Sequence, residues 1–121
     1  MLYGVPEYNF SMASSFKNAY DWLSREYPND PCPVTEKIGA VVSSGGDLGG
    51  ARAQKHFFDS VQFRKVNLMP LERAKVQVPR WGKDGEKFDK DGNLTHEETK
   101  KELAPFLDEF AKWIEENLKK K

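Results

Sequence analysis

Residues 38–42 are Ile38, Gly39, Ala40, Val41 and Val42, an apolar run without the alternation of a half-exposed strand. A continuous apolar segment of this length is the mark of a strand buried on both faces, as in a parallel sheet with helices above and below. A glycine- and serine-rich turn follows directly. After it comes a helical pattern over residues 50–63, carrying Ala53, Phe57, Phe58 and Val61. The same order occurs earlier in the chain. Residues 1–5 read as the last part of a strand, residues 6–9 as a turn, and residues 13–24 as a helix with Phe16, Ala19, Tyr20, Trp22 and Leu23 on its apolar face. Residues 66–69 and 74–78 are short extended candidates on either side of Pro70, Leu71, Glu72 and Arg73. Strand, helix, strand, helix, strand predicts an α/β fold of parallel strands joined by right-handed crossovers.

The remaining segments read as connections and one long helix. Three prolines, Pro28, Pro31 and Pro33, make residues 27–33 a connector, and residues 81–93 are polar and rich in glycine and aspartate, hence a surface loop. Thr95 and Glu98 have capping-box spacing and predict the start of the last helix. Its apolar face comprises Leu103, Phe106, Leu107, Phe110, Trp113, Ile114 and Leu118. Pro105 lies inside it and, lacking a backbone donor, predicts a kink or a restart. The expected core joins Leu2, Val5, Ile38, Val41, Leu103, Phe106 and Phe110.

Composition narrows the classes of function. The chain has 121 residues, one domain or part of one, with 19 basic and 19 acidic side chains. Balanced charge, and too few aromatics among its basic clusters, exclude a nucleic-acid surface. No apolar run approaches the roughly 20 residues that span a bilayer. No basic segment followed by an apolar stretch marks a signal peptide. With a single cysteine, Cys32, the chain forms no internal disulfide, and a cytoplasmic location is expected. Cys32 itself reads as an inert loop residue.

Two motifs carry the chemistry. The first is Pro6, Glu7, Tyr8 and Asn9, followed by Ser11, Phe16, Lys17, Asn18, Ala19, Asp21 and Trp22. The second is Ser43, Ser44, Gly45 and Gly46, followed by Gly49, Gly50, Ala51, Arg52, Ala53 and Gln54. Read alone, the first suits an ordinary strand-to-helix turn as well as a ligand site, and the second suits a glycine turn capping a helix. The glycine spacing matches neither a dinucleotide-binding fingerprint nor a P-loop. Asp89, Asp91 and Gly92 imitate a calcium loop, but no register places all its ligands, so a tight surface turn is expected. His56, His96 and Cys32 offer no metal-ligand spacing. No Ser-His-Asp order is present. Chemistry, if any, belongs to a cofactor.

Together and in this order, the two motifs resemble the NADPH-dependent FMN reductase family, flavodoxin-like quinone, azo-dye and chromate reductases. The resemblance covers the chain from Val5 to the last helix. It implies a flavodoxin-like doubly wound parallel sheet, of which residues 1–121 form a single partial domain from the third strand to the C-terminal helix. It implies FMN and NAD(P)H as cofactors, hydride transfer through flavin N5 to a small-molecule electron acceptor, and a homo-oligomer. Pro6, Glu7, Tyr8 and Asn9 would contact the isoalloxazine, and Ser43, Ser44, Gly45 and Gly46 its pyrimidine edge. The family's phosphate loop and first two strands have no counterpart here. The expectation is therefore a chain whose N-terminal half is missing, and whose residues 1–5 leave an unpaired sheet edge. A complementing half would then supply the phosphate site. The alternatives are a truncated, non-catalytic relative acting as an interaction partner, and a small α/β scaffold without a ligand.

Overall fold

The computed structural model describes residues 1–28, 31–61, 65–80 and 85–120. In chain order the elements are β1 (Leu2–Tyr8), β2 (Ser11–Met12), α1 (Ser14–Leu23), β3 (Ile38–Ser44), α2 (Ala51–Val61), β4 (Asn67–Leu68), β5 (Val76–Val78) and α3 (Glu97–Leu118). The helix expected over residues 50–63 is described as far as Val61; Phe63 lies outside the described residues, as do residues 81–84 of the expected surface loop.

The buried strand predicted at residues 38–42 is β3, and everything is built around it. On one side β1 runs parallel to it, from Leu2 opposite Ala40 to Pro6 opposite Ser44. On the other side β4 pairs with Ile38 and Gly39, and β5 with Val42, Ser43 and Ser44, both also parallel. The two short extended segments are thus successive pieces of one interrupted strand along the same edge of β3. Between them a turn closes, with the Arg73 amide donating to the Pro70 carbonyl at 3.0 Å. Pro70 has no N–H to give a ladder, which suits it to that break.

Helices cover both faces of β3. On one face, Tyr3 and Val5 of β1 and Val41 of β3 pack with Tyr20, Ala53, Phe57 and Val61 from α1 and α2. Phe57 is at the centre of this layer, fully buried, with ring centroids 4.9 Å from Tyr3, 5.1 Å from Tyr20 and 5.2 Å from Phe16. On the other face, Ala40, Met69, Val76 and Val78 pack under Phe106 of α3, with Leu103, Phe110 and Trp113 around them. The core expectation holds for Val5, Val41 and Phe106. It fails for Leu2, which is 50 % exposed because its side of β1 lies beyond the reach of α3. Ile38 is only partly buried.

Three local expectations are corrected. Residues 6–8 are not a turn: β1 continues through Tyr8 and folds back as a hairpin, with Glu7 opposite Met12 and Tyr8 opposite Ser11. The two turn residues, Asn9 and Phe10, have φ of 49° and 62°, the handedness that fits a tight hairpin to strand twist. The N-cap of α3 is His96, whose side chain accepts from the Thr99 amide, and not Thr95, whose hydroxyl donates to the Lys87 carbonyl. Finally, of the kink or restart expected at Pro105, the restart does not occur: α3 runs through it as one helix. No helix among the described residues is long and apolar enough to cross a membrane.

Candidate functional site

A cavity of about 570 Å³ opens across the carboxyl ends of the parallel strands. Strand register explains its shape. Pro6, Ser44 and Val78 lie side by side in the sheet, so the chain just beyond each of them forms one wall or the floor. The hairpin tip, Tyr8, Asn9 and Phe10, is one wall; Gly45 and Gly46 are the floor; Arg80 borders the far side. In open parallel sheets ligands bind in this position, beyond the strand ends. Pro6, Glu7, Tyr8, Asn9, Ser44, Gly45 and Gly46, chosen from sequence, all line this single cavity.

Each element holds its part by identifiable bonds. The Ser44 hydroxyl and the Gly45 amide donate to the Val78 carbonyl at 2.8 and 3.3 Å, and the Arg80 amide donates to the Gly46 carbonyl at 3.2 Å. These bonds lock floor and far wall together. The hairpin is tied to α2: the Arg52 guanidinium lies 4.2 Å from the Phe10 ring centroid, and Ser11 Oγ is 3.1 Å from His56 Nδ1. Tyr8 and Phe10 are 68 % and 66 % exposed, and one face of the Phe10 ring is covered by the Arg52 guanidinium.

Glu7 has a role the sequence did not suggest. Its Oε2 accepts from the amides of Arg52 at 2.9 Å and Ala53 at 3.0 Å, the first turn of α2. A helix N-terminus carries partial positive charge and unpaired N–H groups, and a carboxylate there satisfies both. That helix end is therefore occupied from within the chain. Ser43 stands apart from the other chosen residues. It is buried, and its hydroxyl donates to the Gly49 carbonyl at 2.5 Å, holding the glycine loop rather than facing the cavity.

The glycines divide by what surrounds them. At Gly49 φ is +59°, and an added Cβ would lie 2.5 Å from the Gln77 carbonyl carbon, so folding itself demands glycine there. Gly46 lacks positive φ, and nothing lies within 4 Å of where its Cβ would stand. The fold makes no demand on that space, and Gly46 is one of the residues that line the cavity.

Phe10 and Arg80 line the cavity but were not foreseen. Phe10 follows the first motif directly, yet its place depends on a hairpin that Asn-Phe does not advertise. Arg80 had a readable signal: it sits two residues past the last parallel strand, where the other two strands carry their motifs. A second, apolar hollow of about 460 Å³ lies on the α3 face, bordered by Leu2, Gly4, Val42, Val76, Leu103 and Leu107. Beside the calcium-like sequence, Asp89 accepts from the amides of Asp91 and Asn93 at 2.9 and 2.8 Å, an internal turn that uses its carboxylate.

Comparison with known proteins shows the family and the fold. The family model described as NADPH-dependent FMN reductase matches residues 1–82. An NADPH:quinone oxidoreductase of Arabidopsis thaliana is 37 % identical over 112 residues, covering 88 % of this chain and 51 % of the relative. A 2-hydroxy-1,4-benzoquinone reductase of Burkholderia sp is 34 % identical over 115 residues, covering 94 % and 59 %. Among solved structures, the flavoenzyme NAD(P)H:(acceptor) oxidoreductase FerB from Paracoccus denitrificans superposes with a TM-score of 0.73 at 31 % identity, over 96 % of this chain and 60 % of that one. The chain thus spans about half the length of the curated relatives it matches. Its α/β architecture is flavodoxin-like, and with its motifs gathered at the strand ends the chain belongs to the NADPH-dependent FMN reductase family.

Proposed function

We propose that this chain contributes the ring-binding half of an FMN-dependent NAD(P)H oxidoreductase site that passes hydride to a small acceptor: a quinone, an azo compound, chromate or free flavin. One observation carries the reading. Seven residues picked by two separate motifs, Pro6 to Asn9 and Ser44 to Gly46, line one cavity beyond the ends of parallel strands.

The residues suit a flat heteroaromatic ring. Gly46 leaves its backbone face open to a planar ligand, and Tyr8 and Phe10 offer aromatic flanks. The Asn9 side chain both donates and accepts, which matches a pyrimidine edge with alternating groups. Glu7 serves by fixing the hairpin against α2. Bound FMN supplies the redox chemistry, taking hydride from NAD(P)H and giving it to the acceptor. The protein's task is to orient that ring and to keep its reactive face open to both substrates in turn.

A flavin phosphate needs several donors, commonly at a helix N-terminus. The first amides of α2 are already taken by Glu7, which points to a phosphate site outside this cavity. In this reading a complementing N-terminal half supplies it, adding strands beside residues 2–6 of β1 on the side opposite β3, which β2 covers only at Glu7 and Tyr8. The chain acts in the cytoplasm, as part of a homo-oligomer or with such a half.

The test is to titrate the chain with FMN and with lumiflavin, which lacks the phosphate, then repeat with the N-terminal half of a relative in trans. The chain alone should bind both flavins weakly, lose them on gel filtration and reduce quinone with NADPH only at background. Complementation should restore tight FMN and activity together. Stoichiometric FMN retained by the unassisted chain would overturn the division of labour, and absence of flavin binding after complementation would overturn the reading.

A further inference from the structure

We propose that the outer edge of β1 is where two copies of this chain join, their β1 strands running antiparallel with Leu2 of each copy opposite Gly4 of the other. This goes beyond the redox reading and requires no bound flavin.

The two edges of the sheet are built differently. On the β4–β5 side the strand is short and interrupted after Leu68, with Pro70 in the break, and short strands and prolines are among the devices that blunt an edge. On the other side β2 covers β1 only at Glu7 and Tyr8, and residues 2–5 carry neither a charge nor a proline. The ladder with β3 shows which backbone groups lie on that edge. The Ala40 amide donates to the Met1 carbonyl at 3.0 Å, so the polar groups of Met1, Tyr3 and Val5 turn toward β3. Those of Leu2 and Gly4, by alternation, turn outward. Pro6 has no N–H, and its carbonyl already accepts from the Ala13 amide at 3.0 Å.

Two donors and two acceptors therefore face outward from Leu2 and Gly4, and they fix a register. With Leu2 opposite Gly4 of the second copy, and Gly4 opposite its Leu2, every one of these groups is paired about a two-fold axis beside Tyr3. Centring the strands on Gly4 instead would set Leu2 opposite Pro6, which has nothing to offer it. The side chains fit the same register. Leu2 and Gly4 border the apolar hollow of about 460 Å³ on the α3 face, together with Leu103, Phe106 and Leu107. Nothing lies within 4 Å of where a Gly4 Cβ would stand, while Leu2 and Leu107 are 50 % and 51 % exposed. In the pair, each Leu2 covers the bare glycine and the hollow of the other copy. The contact is isologous, so it closes at two copies.

The test is sedimentation of the 121-residue chain over a range of concentrations. The chain should pass from monomer to dimer and stop there. Leu2→Lys places a charge at an exposed position, and Leu2→Pro removes an N–H that faces away from β3 at the first residue of the strand. Each should weaken the dimer about tenfold or more while the dilute monomer keeps its circular dichroism. Cross-linking reads the register. In a Cys32→Ser background, chains carrying Leu2→Cys mixed with chains carrying Gly4→Cys should oxidise to a disulfide at least about tenfold faster than either alone. Directly opposed residues lie about 5.5 Å apart between Cα atoms, within disulfide reach, and diagonal ones about 7–8 Å apart. A chain that stays monomeric at every concentration, a dimer that both Leu2 variants leave intact, growth beyond two copies, or equal cross-linking in all mixtures would overturn the proposal. The N-terminal half of a relative, added in trans, should dissolve the dimer by taking the same edge. Flavin binding restored with the dimer intact would overturn the interface. A dimer that the Leu2 variants disrupt, in a chain that binds no flavin even when complemented, supports the interface and overturns the flavin site.

Discussion

Gly46 and Gly49 lie in one loop, and substituting each by alanine should have opposite consequences. At Gly49 a Cβ must occupy the left-handed region and stand 2.5 Å from the Gln77 carbonyl carbon and 2.8 Å from Gln77 O and Val78 N. The backbone term costs about 1–2 kcal/mol. The contacts are with backbone of β5, which cannot swing aside as a side chain would, and such overpacking costs about 1–3 kcal/mol. Gly49→Ala should therefore lose about 2–5 kcal/mol, lowering Tm by roughly 8–20 °C for a domain of this size. Gly46→Ala meets no atom within 4 Å. Its only effect on folding is a less flexible unfolded chain, which stabilises by about 0.4–1 kcal/mol. Gly46 lines the cavity, so under the proposed function the added methyl group should obstruct a bound ring.

Thermal unfolding followed by circular dichroism, and lumiflavin binding followed by flavin fluorescence, read the two consequences separately. Gly46→Ala should melt at or slightly above the wild-type temperature while ring affinity falls about tenfold or more, with Gly46→Val worse. Gly49→Ala should melt far earlier. If Gly46→Ala destabilised the chain as Gly49→Ala does, the open space beside it would be a misreading of the fold. If it left ring affinity unchanged, the ring does not lie over the glycine floor.

Other perturbations test the frame around the site. Phe57→Ala removes the ring at the centre of the α1–α2 layer and should cost about 3–5 kcal/mol by urea denaturation. Glu7→Ala should cost about 1 kcal/mol, as loss of a helix cap does, and speed hydrogen exchange at the Arg52 and Ala53 amides more than elsewhere in α2. Arg73 bonds Glu109 at 3.0 Å and Glu116 at 2.6 Å, tying the turn between β4 and β5 to α3. Lys112 and then Arg73 hold the Glu109 carboxyl below its ordinary value, and Arg73 does the same for Glu116. A lowered carboxylate pKa adds stability above the unfolded value that is lost as pH falls through the folded one. The stability difference between wild type and Arg73→Met should thus be present at neutral pH and close below about pH 4.

Residues 38–42 were legible because burial on both faces leaves no alternation for a reader to misplace, and β3 is indeed covered by α1 and α2 on one side and α3 on the other. Helices α1 and α2 were legible for the related reason that each turns one apolar stripe inward. Edges are harder. Leu2 reads as core because it is apolar, but whether its side of β1 is covered depends on how far α3 extends across the sheet, which no local pattern records. The cap of α3 slipped by one residue, from Thr95 to His96, because Thr95 is drawn instead to the Lys87 carbonyl across a turn.

The hairpin at Asn9 and Phe10 is the informative failure. Strand-ending turns usually announce themselves with glycine, and Asn-Gly is the common pair for this geometry. Here Phe10 holds a positive φ that costs backbone energy, and its ring lies under the Arg52 guanidinium while Ser11 meets His56. Tertiary contacts with α2 thus support a conformation that local propensity disfavours. Strain held by surrounding structure is found where position matters more than stability. The hairpin lifts Tyr8, Asn9 and Phe10 past the sheet end, so that they form a wall facing Arg80 across the Gly46 floor. A plain turn after Pro6 would have led the chain straight into α1 and left that side of the cavity without aromatic rings. What the sequence reading took for a turn with useful side chains is a strand extended and bent back to raise those side chains over the site. Glu7, the residue at its base, fixes the extension to the helix behind it.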